Sequence, residues 1–429
     1  MNEIAIKQCS IIDPGNTYEG INDIYIEDGL IKLIEPSIGL AADKVIDAEG
    51  LFLLPGFIDM HAHLREPGFE YKETVYSGTR AAARGGYTSI CCMPNTRPVI
   101  DDEASLSMLQ KIIKKDAAVK VYPIAAISKG QKSTELVEMN KLSEMGAVAF
   151  SDDGRPVATA AFMMKALLSA KEKGFMIIDH CEELSLAEGG AINKGRKSEQ
   201  MGIRGIHPLS EELNIMRDIM IAGNTDSHIH IAHVSTAGSA ETIREAKKRG
   251  VKVTCEVTPH HIGLTEDIIT PGFTDCKVNP PLRTAGDVEA LKEALKDGTI
   301  DVIATDHAPH HKDEKSEDFY SSAFGISGLE TAFSVCYTEL VEPGILTLKE
   351  LSERMSKNPA ELLKLDTGII RTGIAADLVL VDTAREITVN RNDFLSKGKN
   401  TPIHGKTYKG DIVYTIVDGN VAYENKNRL

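Results

Sequence analysis

Positive charge is scarce in this chain. Its 48 Lys and Arg residues are outnumbered by 63 Asp and Glu residues, which gives a formal net charge of -15 and a pI near 5.4. A general nucleic-acid-binding protein needs a basic surface to neutralise phosphates, so the composition argues against that class. An anionic small-molecule substrate remains compatible with this charge, because a pocket for it needs only local Arg and Lys residues.

The chain also lacks CxxC motifs and long apolar runs. The seven Cys residues are scattered, odd in number and never spaced as CxxC, so we expect no disulfide framework and a reducing, cytoplasmic location. The first ten residues lack the segments of a signal peptide, and no apolar stretch is long enough to span a bilayer. With 42% hydrophobic and 26% charged residues, the composition is that of a globular protein with a core of good size.

Short alternating segments occur at both ends of the chain. Asp23 to Glu27 near the start and Ile412 to Val417 near the end are typical of strands. We therefore predict one small β-sandwich domain built from residues 1–55 and 367–429, with a different domain in residues 56–366.

The middle of the chain repeats a short apolar run, a polar residue and a helix-like stretch. Eight such runs occur, at Gly56 to Met60, Thr88 to Met93, Lys120 to Ala125, Ala147 to Phe150, Phe175 to Asp179, His228 to Ala232, Val251 to Val257 and Asp301 to Ala304. Helical periodicity follows several of them, at Ala104 to Lys114, Thr159 to Lys173, Glu211 to Ala222, Ser239 to Arg249 and Ala285 to Leu295. Strands alternating with helices predict a parallel sheet, and eight such units predict an α/β fold with a closed (β/α)8 barrel.

The residues that end these runs are the ones capable of chemistry. They are His61, His63, Asn95, Asp152, Asp153, His180, His233, His260, His261 and Asp306. A (β/α)8 barrel places its active site at the carboxyl ends of its strands, so these side chains are predicted to converge there. Histidines scattered over a surface or a core would have no reason to choose those positions.

His61 and His63 are the first candidate metal ligands. Residues two apart in an extended segment point the same way, so both imidazoles can face one ion. An isolated pair of this kind is at least as often two structural histidines held by hydrogen bonds.

His180 and His233 each follow an apolar run. Alone, either is more often structural than a metal ligand. His228 and His230 alternate with apolar residues on the same predicted strand as His233. We interpret these two as residues that only form part of the strand, and we leave them out of the site.

Carboxylates complete the donor set. Asp306 follows the eighth run, where a buried charge is costly unless it is hydrogen-bonded or near a cation; a helix cap or turn is the alternative. Asp152 and Asp153 follow the fourth run, and only one of two adjacent residues can point into the site from an extended strand. Four His and two Asp donors suit zinc, and a metal pair suits hydrolysis because it activates water and polarises a carbonyl.

Long segments of the chain resemble the amidohydrolase superfamily and, within it, the type I dihydroorotases. The first similar segment, Pro55 to Gly68, also occurs in hydantoinases and allantoinases. The others are Met93 to Thr96, Phe150 to Gly154, His233 to Thr236, Glu256 to His261, Lys277 to Arg283, Ala304 to His310 and Phe324 to Thr331. Together these segments extend through nearly the whole chain.

One residue separates the candidates within that superfamily. The resemblance implies that hydantoinases, allantoinases and the shorter dihydroorotases bridge their metals with a carboxylated Lys, whereas type I dihydroorotases use an Asp at the fourth strand. This chain has Asp153 there, and the nearest Lys on the following helix is Lys165. The resemblance therefore implies two zinc ions per chain, bridged by Asp153 and a hydroxide. The implied ligands are His61, His63, Asp153, His180, His233 and Asp306.

The same resemblance implies the reaction and the substrate contacts. The reaction is the reversible cyclisation of N-carbamoyl-L-aspartate to (S)-dihydroorotate and water, the third step of de novo pyrimidine (UMP) biosynthesis. Asp306 is the implied catalytic residue, which takes a proton from the attacking hydroxide and returns it to the leaving nitrogen. Arg65 lies on the same face as His63, and its alternative is a surface salt bridge with Glu66. The implied substrate-binding residues are His63, Arg65, Asn95, Asn279, His310, Phe324 and Gly325.

Two other functions stay open at this point. One is an enzyme for another cyclic amide, such as hydantoin or allantoin. The other is a metal-free, non-catalytic paralogue, although such a protein is expected to have lost ligands that this chain keeps. The resemblance further implies two alternative assemblies, a homodimer or a complex with aspartate carbamoyltransferase. We expect no nucleic-acid partner and no membrane partner.

Overall fold

A computed structural model describes residues 3–426 of the chain. Its first five strands are β1 (Glu3–Ile12), β2 (Glu19–Glu27), β3 (Leu30–Glu35), β4 (Lys44–Asp47) and β5 (Phe52–Pro55). Strand β1 pairs antiparallel with β2 and parallel with both β4 and β5, and β2 pairs antiparallel with β3. Asp28 and Gly29 both have positive φ and close the β2–β3 hairpin, as Asp-Gly pairs commonly do.

Eight parallel strands form a barrel in the middle of the chain. They are β6 (Phe57–Ala62), β7 (Tyr87–Cys92), β8 (Lys120–Ala125), β9 (Ala149–Ser151), β10 (Ile177–Asp179) and, after a ribbon of β11 (Ile192–Asn193) and β12 (Gly205–Ile206), β13 (Ile229–Ile231), β14 (Val253–Val257) and β15 (Val302–Ile303). Neighbours in the sheet follow chain order, and the barrel nearly closes where Ala62 pairs with His307. All eight predicted runs are strands of this sheet, so the predicted fold class is confirmed.

Helices alternate with these strands. The α-helices are α1 (Val75–Arg84), α2 (Glu103–Asp116), α3 (Met139–Glu144), α4 (Ala160–Lys173), α5 (Leu184–Ala187), α6 (Arg196–Met201), α7 (Leu209–Thr225), α8 (Ala237–Lys248), α9 (Pro259–Gly263), α10 (Ala285–Lys296), α11 (Ala332–Cys336), α12 (Leu348–Ser352) and α13 (Asn358–Leu363). Short 3-10 helices lie at Lys129–Gln131, Glu266–Ile268, Thr274–Cys276, Lys312–Glu314, Leu329–Thr331 and Arg391–Asp393, and π-helical turns at Tyr337–Val341 and Glu353–Lys357. The five helices predicted from periodicity correspond to α2, α4, α7, α8 and α10. Thr159, Thr236 and Thr284 begin three of them by accepting a backbone N–H of the first turn.

Both ends of the chain meet in a second sheet. The last strands are β16 (Leu378–Thr388), β17 (Thr407–Val417) and β18 (Asn420–Glu424). Because β16 pairs antiparallel with β5, the eight terminal strands form one continuous sheet in the order β18-β17-β16-β5-β1-β2-β3, with β4 also on β1. The contribution of both termini to one strand-rich unit was predicted, and it is confirmed.

Strand β16 joins the terminal sheet to the barrel. Leu378 and Leu380 pack into the sheet's own hydrophobic cluster, whereas Val379 and Val381 belong to the cluster that surrounds the barrel. This alternation follows from the two-residue period of a strand, which points successive side chains to opposite faces. Within residues 3–426, every helix is too short or too polar to cross a lipid bilayer.

Candidate active site

A cavity of about 230 Å³ opens at the carboxyl ends of the barrel strands. Its lining residues are His63, Arg65, Asn95, Asp153, Gly154, His180, His233, Val278, Asn279, Asp306, Ala308, His310, Phe324 and Gly325. The structure thus brings to one place nearly all the side chains that were predicted to bind metal or substrate. His61 is fully buried beside this cavity, next to Asp153 and Asp306.

The first two histidines face two carboxylates. The His61 Nε2 atom lies 3.4 Å from the Oδ1 atoms of both Asp153 and Asp306. His63 Nε2 lies 3.4 Å from Asp153 Oδ2 and 3.0 Å from Asp306 Oδ1. His61 lies in β6 and His63 directly follows that strand, and the two rings face the same carboxylates, as their spacing predicts.

The other two histidines lie near the Oδ1 atom of Asp153. His180 Nδ1 and His233 Nε2 are 2.8 Å apart and lie 3.7 and 3.6 Å from Asp153 Oδ1. Asp153 therefore presents one oxygen to His63 and the other to His61, His180 and His233. A carboxylate with imidazoles near both of its oxygens is suited to binding metal.

Unpartnered polar atoms mark the same place. Among the described residues, His61 Nε2 and Asp153 Oδ1 are buried and make no hydrogen bond. Leaving such atoms without a partner is costly unless a ligand or ion satisfies them. Two trios, His61 with His63 and Asp306, and His61 with Asp153 and His233, each offer ligand atoms within 4.8 Å of one another. The residues present fit metal ions.

The charges of this cluster reinforce one another. Burial alone would raise the pKa of Asp153, but His61, His233 and the neighbouring ring of His63 hold it well below its usual range. The pKa of Asp306 is likewise lowered, because His61 and His63 outweigh its burial. Both carboxyl groups are thereby kept ionised, which is the form that binds a cation.

Adjacent aspartates take different directions, as predicted for residues on one strand. Asp152 turns away from the cavity, and its carboxylate accepts the backbone N–H groups of Ile127 and Ser128 at 2.9 and 3.0 Å. Asp153 points into the cavity. The pair thus divides into a structural carboxylate that holds a loop and a carboxylate at the centre of the site.

Glu256 was not predicted as part of the site, but it contacts the Nδ1 atom of His61, on the side of the ring away from Asp153 and Asp306. This fully buried residue on β14 places its Oε1 atom 2.6 Å from His61 Nδ1, which leaves Nε2 for the cavity. The other carboxylate oxygen of Glu256 lies 3.3 Å from His230 Nε2. His230, which was left out of the predicted site, therefore helps to position Glu256 beside His61. A charged residue inside the apolar run Val251 to Val257 was the available signal.

Replacing Glu256 with Gln is expected to weaken metal binding. The amide keeps the size of the side chain but loses the negative charge that orients His61, and such outer partners contribute about 10–100-fold in metal affinity or activity. Titration of the metal-free protein with zinc, monitored by enzyme activity and by bound metal, measures the change. Glu241→Gln, on the exposed face of α8, is the matched control. Unchanged zinc affinity in Glu256→Gln would contradict the positioning role.

Several residues of the site adopt strained backbone conformations. Arg65, His233 and Asp306 have φ values of 60°, 32° and 46°, in the left-handed region that L-residues rarely occupy. Such strain persists where the surrounding structure enforces it and is common at functional sites. Gly325 has a φ of 146°, and a Cβ atom there would lie 2.5 Å from the Ala308 carbonyl oxygen, so only glycine fits.

A buried carboxylate, that of Asp59, lies where the barrel closes, next to His61 and Thr305. Asp59 accepts the backbone N–H of His61 at 3.1 Å and that of Thr305 at 3.0 Å. Burial raises the pKa of Asp59 to about 6. Because its partners lie on the first strand and directly after the eighth, Asp59 fixes the two ends of the sheet that carry His61 and Asp306.

The outer part of the cavity contains the cationic and amide groups. Arg65 Nη2 lies 3.3 Å from His310 Nε2, and Arg65 Nε donates to the Pro309 carbonyl, so the predicted alternative of a salt bridge with Glu66 is not what the structure shows. His310 Nε2 also lies 2.8 Å from the Phe324 carbonyl oxygen.

Two side-chain amides, of Asn95 and Asn279, also line the cavity that contains Arg65 and His310. Asn95 Oδ1 lies 3.0 Å from His63 Nδ1. Asn279 donates to Glu182 at 3.0 Å on the other side of the cavity. The cavity thus has a guanidinium and two carboxamides facing the cluster of His and Asp donors, an arrangement suited to a small ligand with a carboxylate and amide groups.

Comparison with known proteins adds a family to this geometry. A family described as Dihydro-orotase-like matches residues 50–239, and the Amidohydrolase family matches residues 214–423. A dihydroorotase of Acetivibrio thermocellus is 50% identical over 423 residues, which cover 99% of both chains. A dihydroorotase of a Thermoanaerobacter species is 49% identical and covers 99% of this chain and 98% of its own. The chain belongs to the dihydroorotase family.

Solved structures of hydantoinases have the same fold as this chain. An L-hydantoinase (dihydropyrimidinase) from Arthrobacter aurescens has a TM-score of 0.89 at 24% identity, covering 99% of this chain and 96% of its own. A dihydropyrimidinase from Brevibacillus agri has a TM-score of 0.85 at 23% identity, with 99% and 95% covered. The chain is therefore a dihydroorotase-family member of the amidohydrolase type, a metal-dependent hydrolase of cyclic amides.

The alternative bridge considered from the sequence, a carboxylated Lys, has no candidate residue at this site within residues 3–426. Lys165, the nearest Lys on the helix after the fourth strand, lies on the exposed face of α4. Among residues 3–426, the lining of the cavity includes no Lys. The carboxylate at the centre of the cluster is that of Asp153.

Proposed function

We propose that this chain catalyses the reversible cyclisation of N-carbamoyl-L-aspartate to (S)-dihydroorotate and water, as a zinc enzyme of pyrimidine biosynthesis. The observation that carries the proposal is the position of Asp153 between His63 on one side and His61, His180 and His233 on the other. We further propose a cytoplasmic location, and domain boundaries at residues 55/56 and 366/367.

Six side chains would hold the metal. They are His61, His63, Asp153, His180, His233 and Asp306. Two zinc ions bound there would lower the pKa of a water molecule and polarise the carbonyl of the ring amide. Imidazole nitrogens and carboxylate oxygens also accept cobalt or manganese, so we base the choice of zinc on the donor set and on the family.

Asp306 is the proposed proton carrier. Its carboxylate is buried at the floor of the cavity, 3.0 Å from His63 Nε2, and no Lys lines the cavity in the part of the chain that the structure describes. In hydrolysis, Asp306 takes the proton of the attacking water and delivers it to the ring nitrogen as the carbon–nitrogen bond breaks. In cyclisation, it takes the proton from the ureido nitrogen and returns it as water departs.

Arg65, Asn95 and His310 are the proposed clamp for the substrate carboxylate. A guanidinium binds a carboxylate through two parallel hydrogen bonds, and Asn95 adds an amide donor. Asn279 and the backbone at Phe324 and Gly325 would orient the amides of the ring. Ring amides then face the metal ligands while the carboxylate stays at the outer wall, which fixes the direction in which the substrate enters.

Replacing Arg65 with Lys is expected to raise KM for dihydroorotate about 10–100-fold with a smaller change in kcat. The ammonium group keeps the charge but cannot form the bidentate pair. Steady-state kinetics on dihydroorotate give the KM and kcat separately. Arg80→Lys, on the outer face of α1, is the control because its side chain caps backbone carbonyls far from the cavity. An equal loss in kcat with KM unchanged would contradict a role in binding.

Association with other chains is part of the proposal. The family resemblance suggests either a homodimer or a complex with aspartate carbamoyltransferase.

Purified, zinc-quantified protein assayed in both directions tests the proposed reaction. Conversion of dihydroorotate to N-carbamoyl-aspartate and the reverse conversion would support it. Absence of both conversions in protein with a full complement of zinc would overturn it.

A further inference from the structure

Helix α7 has an apolar stripe on its outer face. Leu209, Leu213, Met216 and Met220 are 41%, 45%, 46% and 69% exposed. Their spacing of four, three and four residues places them on one side of an α-helix. No charged residue of α7 is as exposed as these four, so the stripe is continuous over three turns.

The next barrel helix shows what this position ordinarily contains. On α8, the exposed positions with the same kind of spacing are Glu241, Glu245 and Lys248. A helix on the outside of a barrel normally turns a charged face to water. The outer face of α7 departs from that pattern, and an apolar surface of this kind is typical of a site that contacts another molecule.

The neighbouring helix extends the apolar surface. α4 packs beside α7 and exposes Met164 and Leu168, by 39% and 46%. Together, the exposed parts of the six side chains amount to nearly three whole Leu or Met side chains, an area on the order of 500 Å². The largest apolar patch of a typical monomer has about this size. A standard dimer interface takes about 800 Å² from each subunit, so this patch is the right size for the apolar centre of one.

We infer that the stripe on α7 binds the same stripe of a second copy of the chain, with the two helices antiparallel. The pattern is symmetric about the point midway between Leu213 and Met216. A two-fold axis there places Leu209 level with Met220 of the partner subunit and Leu213 level with Met216 of the partner subunit. A closed two-fold interface requires this kind of self-complementarity.

This inference rests on the first of the two assemblies named under the proposed function, the homodimer, and not on the proposed chemistry. An acidic or basic partner surface would find no exposed charge on the stripe to pair with. A surface of Leu and Met at helical spacing is best covered by another of its kind, because flexible apolar side chains interdigitate along two helices. The second copy supplies that surface without any further partner.

Light scattering after size-exclusion chromatography tests the surface on the full-length protein. The wild-type chain is expected to be a dimer at micromolar concentration. Met216→Glu and Met220→Glu are each expected to raise the dimer dissociation constant at least ~100-fold, because an interface buries the new carboxylates unpaired. Met108→Glu is the matched control, since Met108 is 46% exposed on α2, and it should stay dimeric. An unchanged far-ultraviolet circular dichroism spectrum shows that the variants fold.

Two results would overturn the inference. A monomeric wild-type chain would remove both the dimer and its surface, whereas a dimer that both glutamate variants leave intact would place the interface elsewhere. A dimer without dihydroorotase activity would count against the proposed function and leave this surface standing.

Disulfide trapping tests the antiparallel arrangement. The native cysteines are all buried, so they contribute little background. Under oxidation, the double variant Leu213→Cys/Met216→Cys is expected to form covalent dimers. Leu209→Cys alone should not, because antiparallel pairing separates the two copies of position 209 by about 16 Å along the helix. Covalent dimers of Leu209→Cys alone would contradict the antiparallel register.

Discussion

Replacing Asp306 with Asn is expected to lower turnover at least ~10³-fold in both directions while the fold stays intact. The carboxylate is the proposed proton carrier, and an amide of the same shape cannot accept and return a proton at the ring nitrogen. Asn is the right substitution because Asp306 has a φ of 46°, a conformation that Asn tolerates well. The amide oxygen keeps one donor atom toward the metal, so metal content should fall less than activity.

A second aspartate provides the control for this variant. Asp226 ends α7 in the same left-handed conformation, with a φ of 51°, but it is exposed and far from the cavity. Asp226→Asn should therefore keep full turnover. The measurements are kcat for dihydroorotate and bound zinc per folded chain. Turnover near the wild-type level in Asp306→Asn with zinc bound would eliminate the proton-transfer role.

Loss of bound zinc is the expected result of replacing Asp153 with Ala. The carboxylate lies within 3.4 to 3.7 Å of four imidazoles, so its removal deletes the ligand that both proposed metal positions share. Zinc should fall from about two ions per chain to one or fewer, and activity should fall with it, by ~10³-fold or more. Elemental analysis of the dialysed, folded variant gives the metal count.

The adjacent residue provides a control on the same loop. Asp152→Asn keeps an oxygen for the backbone N–H groups of Ile127 and Ser128, so the loop holds its shape and the zinc content should equal that of the wild type. Asparagine is preferable to alanine at this position, because alanine would leave those buried N–H groups without an acceptor. Unchanged zinc content in Asp153→Ala would contradict the bridging assignment.

Much of the barrel was predictable because each strand combines two local signals. A fully buried parallel strand is a short apolar run, and the residue that follows it at the carboxyl end carries the chemistry. His180, His233 and Asp306 lie within three residues of the ends of β10, β13 and β15, and His61 is the second-last residue of β6. Their convergence required only the topology, which the alternation of strands and helices supplies.

The support behind the ligands was not predictable in the same way. Glu256 contacts His61 across 195 residues of sequence, and nothing local indicates that pairing. The same holds for Asp59 and Thr305, which join the first strand to the end of the eighth. Left-handed backbone at Arg65 and Asp306 also escapes sequence reasoning, because tertiary contacts impose it.

We propose that the cavity around Asp153 is a dinuclear zinc site selective for dihydroorotate. The most direct test is a parallel assay of zinc-quantified protein on dihydroorotate, hydantoin and allantoin. We expect turnover of dihydroorotate with a kcat/KM at least ~100-fold above that for the two rings that lack its carboxylate. Two results would contradict dihydroorotate as the substrate. One is a preference for hydantoin or allantoin, and the other is no turnover of any of the three by protein with two zinc ions per chain.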